Sequence, residues 1–339
     1  MAKKSITMQD IADRLNVSKV TVSKALSDRE GVGEVLKKQI VEAAESMGYH
    51  LNSTARSLRL GRSRNIGVII PKRFSWESNY YSDLYQKISL HLSRKGYSST
   101  LHILEDEDER SLVIPLEHFE YKVDGLLVLG QISREYIEKI RTTDTPVVFT
   151  DFYDEHRDVD SIITDNFYES YNMTNFIISK NHKKIAFVGS VCATSSIMDR
   201  YLGYVKSLME HAIPMRADYL IEDRDAAGRL IEYPLPQDMP TAFVCNCDLV
   251  AFNLIQRLVK GGLSVPRDVS VSGFDNDMHS KLCTPPITTV DSNSEEMARV
   301  ATEVIINRIE NDGGVLGRIV VKGHHVIKES VAESQAYFD

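Results

Sequence analysis

Three short runs of apolar positions at helical spacing occupy the first fifty residues. In the first run, Thr7 can cap a helix, and Asp10 at the third helical position can complete a capping box. Ile6 and Ile11 occupy the two positions that pack together in a hydrophobic staple. Ser18 can cap a second helix after a three-residue turn. The apolar positions of the second and third runs are Val22, Ala25 and Leu26, then Leu36, Ile40, Ala43, Ala44 and Met47, with Gly48 as the C-cap. Two helices joined by a short turn and braced by a third predict a helix-turn-helix.

A basic linker follows the helical head. Residues 49–65 contain four arginines and no acidic residue, with Ala55 and Leu58 as a short apolar register. So short a helix is unstable alone in water, so we expect it to form only on a partner surface. A flexible tether is the alternative.

Beyond Ile66 the pattern changes to short apolar runs that alternate with amphipathic stretches. The predicted strands are NIGVIIP, SSTLHIL, VDGLLVL, PVVFTD, SIITD, KKIAFVG, TAFVCN, VSVSGFD, TTV, RIVVKG and HHVIKES. The predicted helices cover 78–95, 167–180, 198–211, 248–260 and 294–311. Near-continuous apolar strands between helices indicate parallel sheets covered on both faces. The number of strands favours two doubly wound α/β lobes over one.

Charge is segregated along the chain. The 339 residues carry a formal net charge of −8, yet residues 1–64 hold 12 Lys and Arg against 7 Asp and Glu. A cationic head is attracted to phosphate while the acidic remainder is repelled from it. We therefore expect only one end of the molecule to face nucleic acid.

The chain offers no sign of a membrane or of an oxidising compartment. No stretch approaches the roughly 18 apolar residues of a membrane span, and the first residues turn polar before a signal-peptide core could form. A cytoplasmic protein without membrane contact is expected. Cys192, Cys245, Cys247 and Cys283 are too few for a disulfide framework and lack metal-knuckle spacing, so we predict reduced thiols that pack in the interior.

Motifs of enzymes are missing from the sequence. It contains no Walker-type phosphate loop, no GxSxG, no HExxH and no GxGxxG after the first strand of the α/β region. His324 and His325 lie in a predicted strand, where neighbours point to opposite faces, so a shared metal is not expected. The sequence thus predicts no enzyme, no cofactor and no metal. A transport-type sugar-binding protein would need a signal peptide and no basic head, and a sugar kinase with a DNA-binding head would need a phosphate loop or an acid–base pair.

The whole chain resembles a LacI/GalR-type bacterial transcription regulator. The resemblance rests on IADRLNVSKVTVSKALS, GYHLNSTARSL, IGVIIP, VDGLLVLG, HKKIAFVG, PTAFVCNCDLVA, VPRDVSVSGFDN and PPITTV, which follow the order of that family. It implies a sensor like a periplasmic sugar-binding protein, whose lobes are joined by three crossovers. It also implies a homodimer or larger assembly that binds pseudo-palindromic double-stranded operator DNA as a repressor, under the control of a small molecule that we expect to be a mono- or oligosaccharide.

The resemblance assigns DNA contacts to the second helix and the linker. Lys19, Val20 and Lys24 would meet base edges, while Thr7, Ser18, Thr21 and Ser23 would steady the backbone. In the linker, Ala55 and Leu58 would enter the minor groove as an apolar wedge, with Asn52 and Arg56 also at the DNA.

Ligands of doubly wound lobes bind beyond the carboxyl ends of the strands. That rule selects aromatic, Asn, Asp and Arg side chains, which suit sugar rings and hydroxyls. The candidate effector residues are Phe74, Trp76, Asn79, Tyr80, Phe152, Asp165, Arg200, Asp248 and Asp275. The aromatic residues could instead belong to the core, and the aspartates could cap helices.

The predicted domain organisation has three parts. A helix-turn-helix domain covers 1–50, a hinge helix 51–65, and an effector-binding and dimerisation domain 66–339. Within the last part, the first lobe takes about 66–162 plus 294–320, and the second lobe about 163–293 plus 321–339.

Overall fold

The computed structural model describes residues 6–26, 31–47, 62–75, 79–114, 123–154, 159–311 and 313–334. The chain divides into two compact units between Ser63 and Arg64. The residues predicted to form the hinge (Asn52, Ala55, Arg56 and Leu58), the predicted C-cap Gly48 and the candidate effector residue Trp76 lie outside the described residues.

The first unit contains three helices. They are α1 (Met8–Leu15), α2 (Lys19–Leu26) and α3 (Glu34–Met47). The predicted capping box is present, because Thr7 accepts from the Asp10 backbone N–H while the Asp10 carboxylate accepts from the Thr7 N–H at 2.7 Å. Asn16, with a φ of 51°, ends α1 in the left-handed conformation. The three helices share one small core formed by Ile11, Ala12, Val22, Ala25, Ile40, Ala43 and Ala44.

The first lobe of the second unit is built on a six-stranded parallel sheet in the order β11–β5–β4–β3–β1–β2. Its strands are β1 (Asn65–Pro71), β2 (Ser98–Leu104), β3 (Gly125–Leu129), β4 (Val147–Thr150), β5 (Asp160–Thr164) and β11 (Arg318–Val321). Its helices are α4 (Lys72–Ser75), α5 (Tyr80–Arg94), α6 (Asp106–Arg110), α7 (Arg134–Arg141) and α12 (Ser294–Asn311). Apolar clusters cover both faces of the sheet, as a buried parallel sheet requires.

The second lobe has a four-stranded parallel sheet in the order β7–β6–β8–β9. The strands are β6 (Ile185–Val188), β7 (Leu220–Ile221), β8 (Ala242–Cys245) and β9 (Ser270–Ser272). The helices are α8 (Asn166–Ser179), α9 (Ser195–Glu210), α10 (Asp248–Lys260) and α11 (Met278–Leu282). Gly203 allows α9 to approach α8, since a Cβ there would lie 2.2 Å from the Phe167 carbonyl oxygen.

Three segments cross between the lobes. The chain leaves the first sheet after β5 to enter α8, returns after β10 (Thr289–Asp291) into α12, and leaves again from β11 into β12 (His324–Val326). β10 and β12 pair as an antiparallel ribbon.

Two further expectations can be compared with the structure. Within the described part of the chain, no helix is both long and apolar enough to cross a membrane. All four cysteines are free thiols, and Cys245 and Cys283 are buried, whereas Cys192 is exposed, contrary to the prediction that all four pack in the interior.

Candidate functional site

The first candidate site is the outer surface of α2. The Ser18 hydroxyl caps this helix by accepting from the Thr21 backbone N–H at 3.0 Å. Val22 and Ala25 are buried against α1 and α3, which fixes the face that α2 presents outward. Lys19 and Lys24 lie on that exposed face, and Val20 is 64% exposed. An exposed apolar residue between two lysines is suited to contact with a thymine methyl beside phosphates or guanine acceptors.

The second candidate site is a cleft between the two lobes, called the interlobe cleft below. Its lining surrounds about 630 Å³ of space, part of which is open to solvent. The first lobe contributes Arg73, Phe74, Tyr80, Tyr81 and Asp151. The second lobe contributes Thr194, Ser196, Ile197, Arg200, Arg224, Asn246, Cys247, Leu249, Asp275 and Asp277.

Arg200 is the central cation of the cleft. Its Nε donates to Asn166 Oδ1 at 2.8 Å, and its Nη1 donates to the Asn246 carbonyl at 2.6 Å. Its Nη2 lies 3.4 Å from Asp275 Oδ1, and its guanidinium stacks 3.7 Å from the centroid of the Phe274 ring. These partners come from α8, the end of β8 and the turn after β9, so three elements of the second lobe hold Arg200 in one orientation.

The wall from the first lobe combines aromatic rings with a carboxylate. The Phe74 and Tyr81 rings have centroids 5.3 Å apart, and the Tyr81 hydroxyl donates to Asp151 Oδ2 at 2.7 Å. Gly130, with a φ of +85°, makes room for this pair, because a Cβ there would lie 2.9 Å from the Phe74 ring. The cleft therefore offers an aromatic surface beside a hydrogen-bond acceptor.

Burial raises the pKa of two carboxyl groups of the cleft, those of Asp151 and Asp275, which favours their neutral form. Burial raises the pKa of Asp151 above its ordinary value, and Arg200 opposes the shift. Burial raises the pKa of Asp275 to about 7, with Arg200 again opposing it and Asp151 adding to it. The cleft therefore gains and loses protons near neutral pH.

Comparisons with known proteins agree with this two-part architecture. Residues 7–52 match the model of bacterial regulatory proteins of the lacI family, and residues 174–331 match the periplasmic binding protein-like domain. The chain therefore carries a helix-turn-helix domain of the lacI family and a periplasmic-binding-protein-like domain. An "HTH-type transcriptional repressor PurR" from Glaesserella parasuis is 28% identical over 90% of this chain and 90% of its own. Another protein of that name, from Histophilus somni, is 28% identical over 96% and 98%.

Solved structures share the fold of this chain. A lac repressor dimer bound to operator and the anti-inducer ONPF superposes with a TM-score of 0.80, at 20% identity, over 97% of this chain and 100% of that one. A complex of the transcriptional regulator CelR with cellobiose gives a TM-score of 0.70 at 18% identity, over 96% and 99%. The α/β domain thus has the periplasmic-binding-protein architecture that the resemblance implied.

The structure brings four of the candidate effector residues to the interlobe cleft. They are Phe74, Tyr80, Arg200 and Asp275. Asn79 lines a neighbouring cavity instead, where its Nδ2 lies 3.1 Å from Met278 Sδ.

Three other candidate effector residues have structural roles. Phe152 is fully buried and stacks on Phe149, with ring centroids 4.5 Å apart. The preceding residue, Asp151, has a positive φ, and it is Asp151 and not Phe152 that lines the cleft. Asp165 caps α8 by accepting from the Tyr168 N–H. Asp248 is fully buried behind the cleft, where it accepts from Thr289 Oγ1 at 2.6 Å and from the Asp277 N–H at 2.9 Å. Burial raises the pKa of Asp248 well above its ordinary value.

Several cleft residues were missed by reasoning from the sequence. Asp151 ends the apolar run PVVFT, and Tyr81 directly follows the candidate Tyr80, so both carried a signal that could have been used. Arg224 and Asn246 belong to a buried network in which both reach Asp223, at 2.7 and 2.8 Å. Although burial acts against it, Arg224 and its neighbours lower the pKa of Asp223.

His324 and His325 are not joined by other potential metal ligands in the described part of the chain. Within the described ranges, no group of three or more His, Cys, Asp or Glu is placed to hold a metal ion. His325 Nε2 lies 3.2 Å from the carbonyl oxygen of Glu169, which links β12 to α8.

Proposed function

We propose that this protein is a transcriptional repressor whose operator affinity is controlled by a small molecule bound in the interlobe cleft. The observation that carries the proposal is the placement of Arg200 and Asp275 of one lobe opposite Phe74, Tyr81 and Asp151 of the other, in a chain that begins with a helix-turn-helix. A ligand that touches both walls binds best when the lobes are together, so it stabilises one arrangement of the domain over others.

A mono- or oligosaccharide is the effector class that we favour. Sugar rings stack on aromatic faces, and carboxylate and guanidinium groups bind hydroxyls in defined geometry. The Phe74–Tyr81 pair supplies the first feature, and Asp151, Arg200 and Asp275 supply the second. One solved structure with this fold is a complex of the transcriptional regulator CelR with cellobiose.

A planar nitrogen heterocycle is the second effector class. The same aromatic pair would stack on it, and Asp275 and Asp151 would accept from ring N–H groups. The curated relatives are named as repressors, and their names specify no sugar.

The head contributes operator recognition in this proposal. Lys19, Val20 and Lys24 would contact bases, Thr7, Ser18, Thr21 and Ser23 would position the backbone, and Asn52, Ala55, Arg56 and Leu58 would serve as the hinge. Recognition of a pseudo-palindromic site requires a dimer, with one head for each half-site. We place this regulator in the cytoplasm with its operator.

An operator-binding assay tests the proposal. Genomic fragments upstream of the gene and its neighbours would be titrated with the purified full-length protein, with and without a panel of mono- and disaccharides and nucleobases. A fragment bound in the nanomolar range and released, or bound more tightly, by one compound supports the proposal. Binding to all fragments alike, or insensitivity to a compound that demonstrably occupies the cleft, contradicts it.

A further inference from the structure

Some of the charged side chains that line the interlobe cleft are paired with other residues of the protein, and others are less fully paired. Three guanidinium groups and three carboxylates face the cleft among the described residues. Two of the guanidinium groups form ion pairs with carboxylates that do not line the cleft. Arg73 Nη1 donates to Glu109 Oε2 at 2.5 Å, and Arg224 Nη2 lies 2.7 Å from Asp223 Oδ2.

Arg200 is the remaining guanidinium, and most of its donors are also occupied. Asn166 and the Asn246 carbonyl take two of its three nitrogens at 2.8 and 2.6 Å, while Asp275 takes the third at the longer distance of 3.4 Å. Asp277 is satisfied within its own turn, because it accepts from the backbone N–H of His279 and lies 2.9 Å from the His279 ring. Asp151 and Asp275 therefore share one guanidinium, that of Arg200, and most of its donors already bind other groups of the protein.

Asp151 has an oxygen that is not used by the described protein. The residue is 5% exposed, and its Oδ2 accepts from Tyr81. The Tyr80 hydroxyl lies close enough to lower the pKa of Asp151 as well, but Oδ1 is buried and has no partner of hydrogen-bond geometry among the described residues. A buried acceptor left without a donor has a cost in free energy, because its hydrogen bond to water is lost and not replaced. A ligand that brings an N–H or O–H to Asp151 Oδ1 recovers that cost, whereas a ligand that brings another anion increases it.

We infer that the interlobe cleft accepts an uncharged or positively charged small molecule that donates a hydrogen bond to Asp151, and that it rejects phosphorylated and carboxylated compounds. The inference rests on the proposed function, since it specifies the effector of the same site. Asp151 and Asp275 act as the charge filter. A phosphate group would meet two carboxylates, and no described guanidinium of the lining is left without a carboxylate or carbonyl partner.

The protonation behaviour of the two carboxylates agrees with this charge excess. Burial raises the pKa of both Asp151 and Asp275, and Arg200 only partly compensates. The other titratable groups of the lining are Tyr80, Tyr81, Cys247 and Asp277, which carry no positive charge, and Arg73 and Arg224, which are paired with Glu109 and Asp223. Asp248 adds a buried carboxylate behind Asp275, while Lys87 and Lys281 belong to the neighbouring cavity that Asp275 also borders.

The binding test uses matched probes that differ in charge. Glucose, glucosamine and glucose 6-phosphate form one set, and adenine and adenosine monophosphate form a second, each measured on the full-length protein by thermal shift and calorimetry. We expect any phosphorylated probe to bind at least about 100-fold more weakly than its uncharged parent, because like charges at an interface cost several kcal/mol. Asp151→Asn/Asp275→Asn should reduce that ratio. A phosphorylated probe that binds wild type more tightly than its parent overturns the inference.

A ligand-free test covers the case in which none of these probes binds. The pKa of Asp275 is raised from 3.8 to about 7 in the folded protein, so the unfolded chain ionises first as the pH rises and stability is lost between these values. The thermal midpoint of wild type should therefore fall from about pH 5 to about pH 7 more steeply than that of Asp275→Asn. Equal slopes, also for Asp151→Asn, mean that the cleft holds no excess of buried carboxylate, and the inference fails.

These outcomes are separate from the failure of the proposed function. An anionic compound that binds the cleft and changes operator affinity would overturn the charge filter and leave the regulator intact. A neutral compound that binds the cleft without any effect on operator affinity would agree with the charge filter and contradict the proposed function.

Discussion

The hydroxyl of Tyr153 in the first lobe donates to Asp199 Oδ1 of the second lobe at 2.9 Å. Two more bonds lie on the same rim of the interlobe cleft, since Ser195 Oγ accepts from the Tyr153 backbone N–H and the Ser195 N–H donates to Gln131 Oε1. Arg318 covers the Tyr153 ring at 4.5 Å. All three bonds connect β-sheet loops of one lobe to the start of α9 in the other, so they form only when the lobes are together.

Replacing Tyr153 with Phe should loosen this rim. One hydrogen bond contributes about 0.5–1.5 kcal/mol, so the separated arrangement should become about 2- to 10-fold more populated. Hydrogen–deuterium exchange should then be faster at residues 195–200, the first turn and a half of α9. Tyr171→Phe is the matched control, because its hydroxyl bonds to Glu210 within the second lobe. Unchanged exchange in Tyr153→Phe would show that the bond to Asp199 does not hold the lobes together.

Arg200 should be essential for stability as well as for binding. Arg200→Met leaves Asp275, Asn166 and the Asn246 carbonyl without their donor in a buried site. Removal of one partner from a buried charged network costs about 3–5 kcal/mol, which urea denaturation would measure. Arg299→Met, which removes ion pairs with Glu296 and Glu303 on the surface, serves as the control and should leave stability nearly unchanged. Similar stabilities for the two variants would contradict the role assigned to Arg200.

The affinity for an uncharged effector should depend on pH. The pKa of Asp275 is about 7 in the ligand-free cleft, and only the ionised carboxylate is purely an acceptor. A hydroxyl or N–H donor that binds Asp275 therefore competes with a proton, and its affinity should fall as the pH drops below about 7. Calorimetry across this range with Asp275→Asn as reference is the measurement. An affinity that increases toward acid pH is incompatible with donation to Asp275.

The recognition surface of α2 can be tested without an effector. Lys24→Ala should weaken operator binding by about 1–3 kcal/mol if Lys24 reads a base. Lys37→Ala is the control in the same unit, because Lys37 lies on α3 and is 3.9 Å from Glu34. Equal operator affinities of both variants, measured at one salt concentration, would remove Lys24 from the interface.

The sequence was sufficient for the elements that depend on periodicity and capping. Thr7 and Ser18 cap their helices as predicted, and the helix predicted at 294–311 occupies Ser294–Asn311. Short elements were missed, such as α6 over Asp106–Arg110 and α7 over Arg134–Arg141. The five residues of α6 are too few to show a helical repeat. In contrast, α7 has an N-cap at Ser133 and a buried face formed by Tyr136, Ile137 and Ile140, which is a signal that could have been used.

The cleft was harder to predict because single residues decide it. Asp151 and Asp275 have positive φ angles of 70° and 106°, which redirect their side chains at the strand ends. Nothing in a run such as PVVFTDF reveals which of two neighbours takes that conformation, so Phe152 was selected in place of Asp151. Asp248 has the composition of a ligand residue, but it stabilises the 275–277 turn from behind.

Reciprocal coupling between cleft and operator is the most direct test of the central claim. Operator affinity would be measured by fluorescence anisotropy with and without a compound that binds the cleft, and the affinity for that compound with and without operator. Thermodynamic linkage requires the same factor in both directions, expected at about 5- to 150-fold, and Asp275→Ala should abolish it while retaining operator binding. A compound that binds tightly in the cleft with identical affinity in the presence and absence of operator would contradict the account.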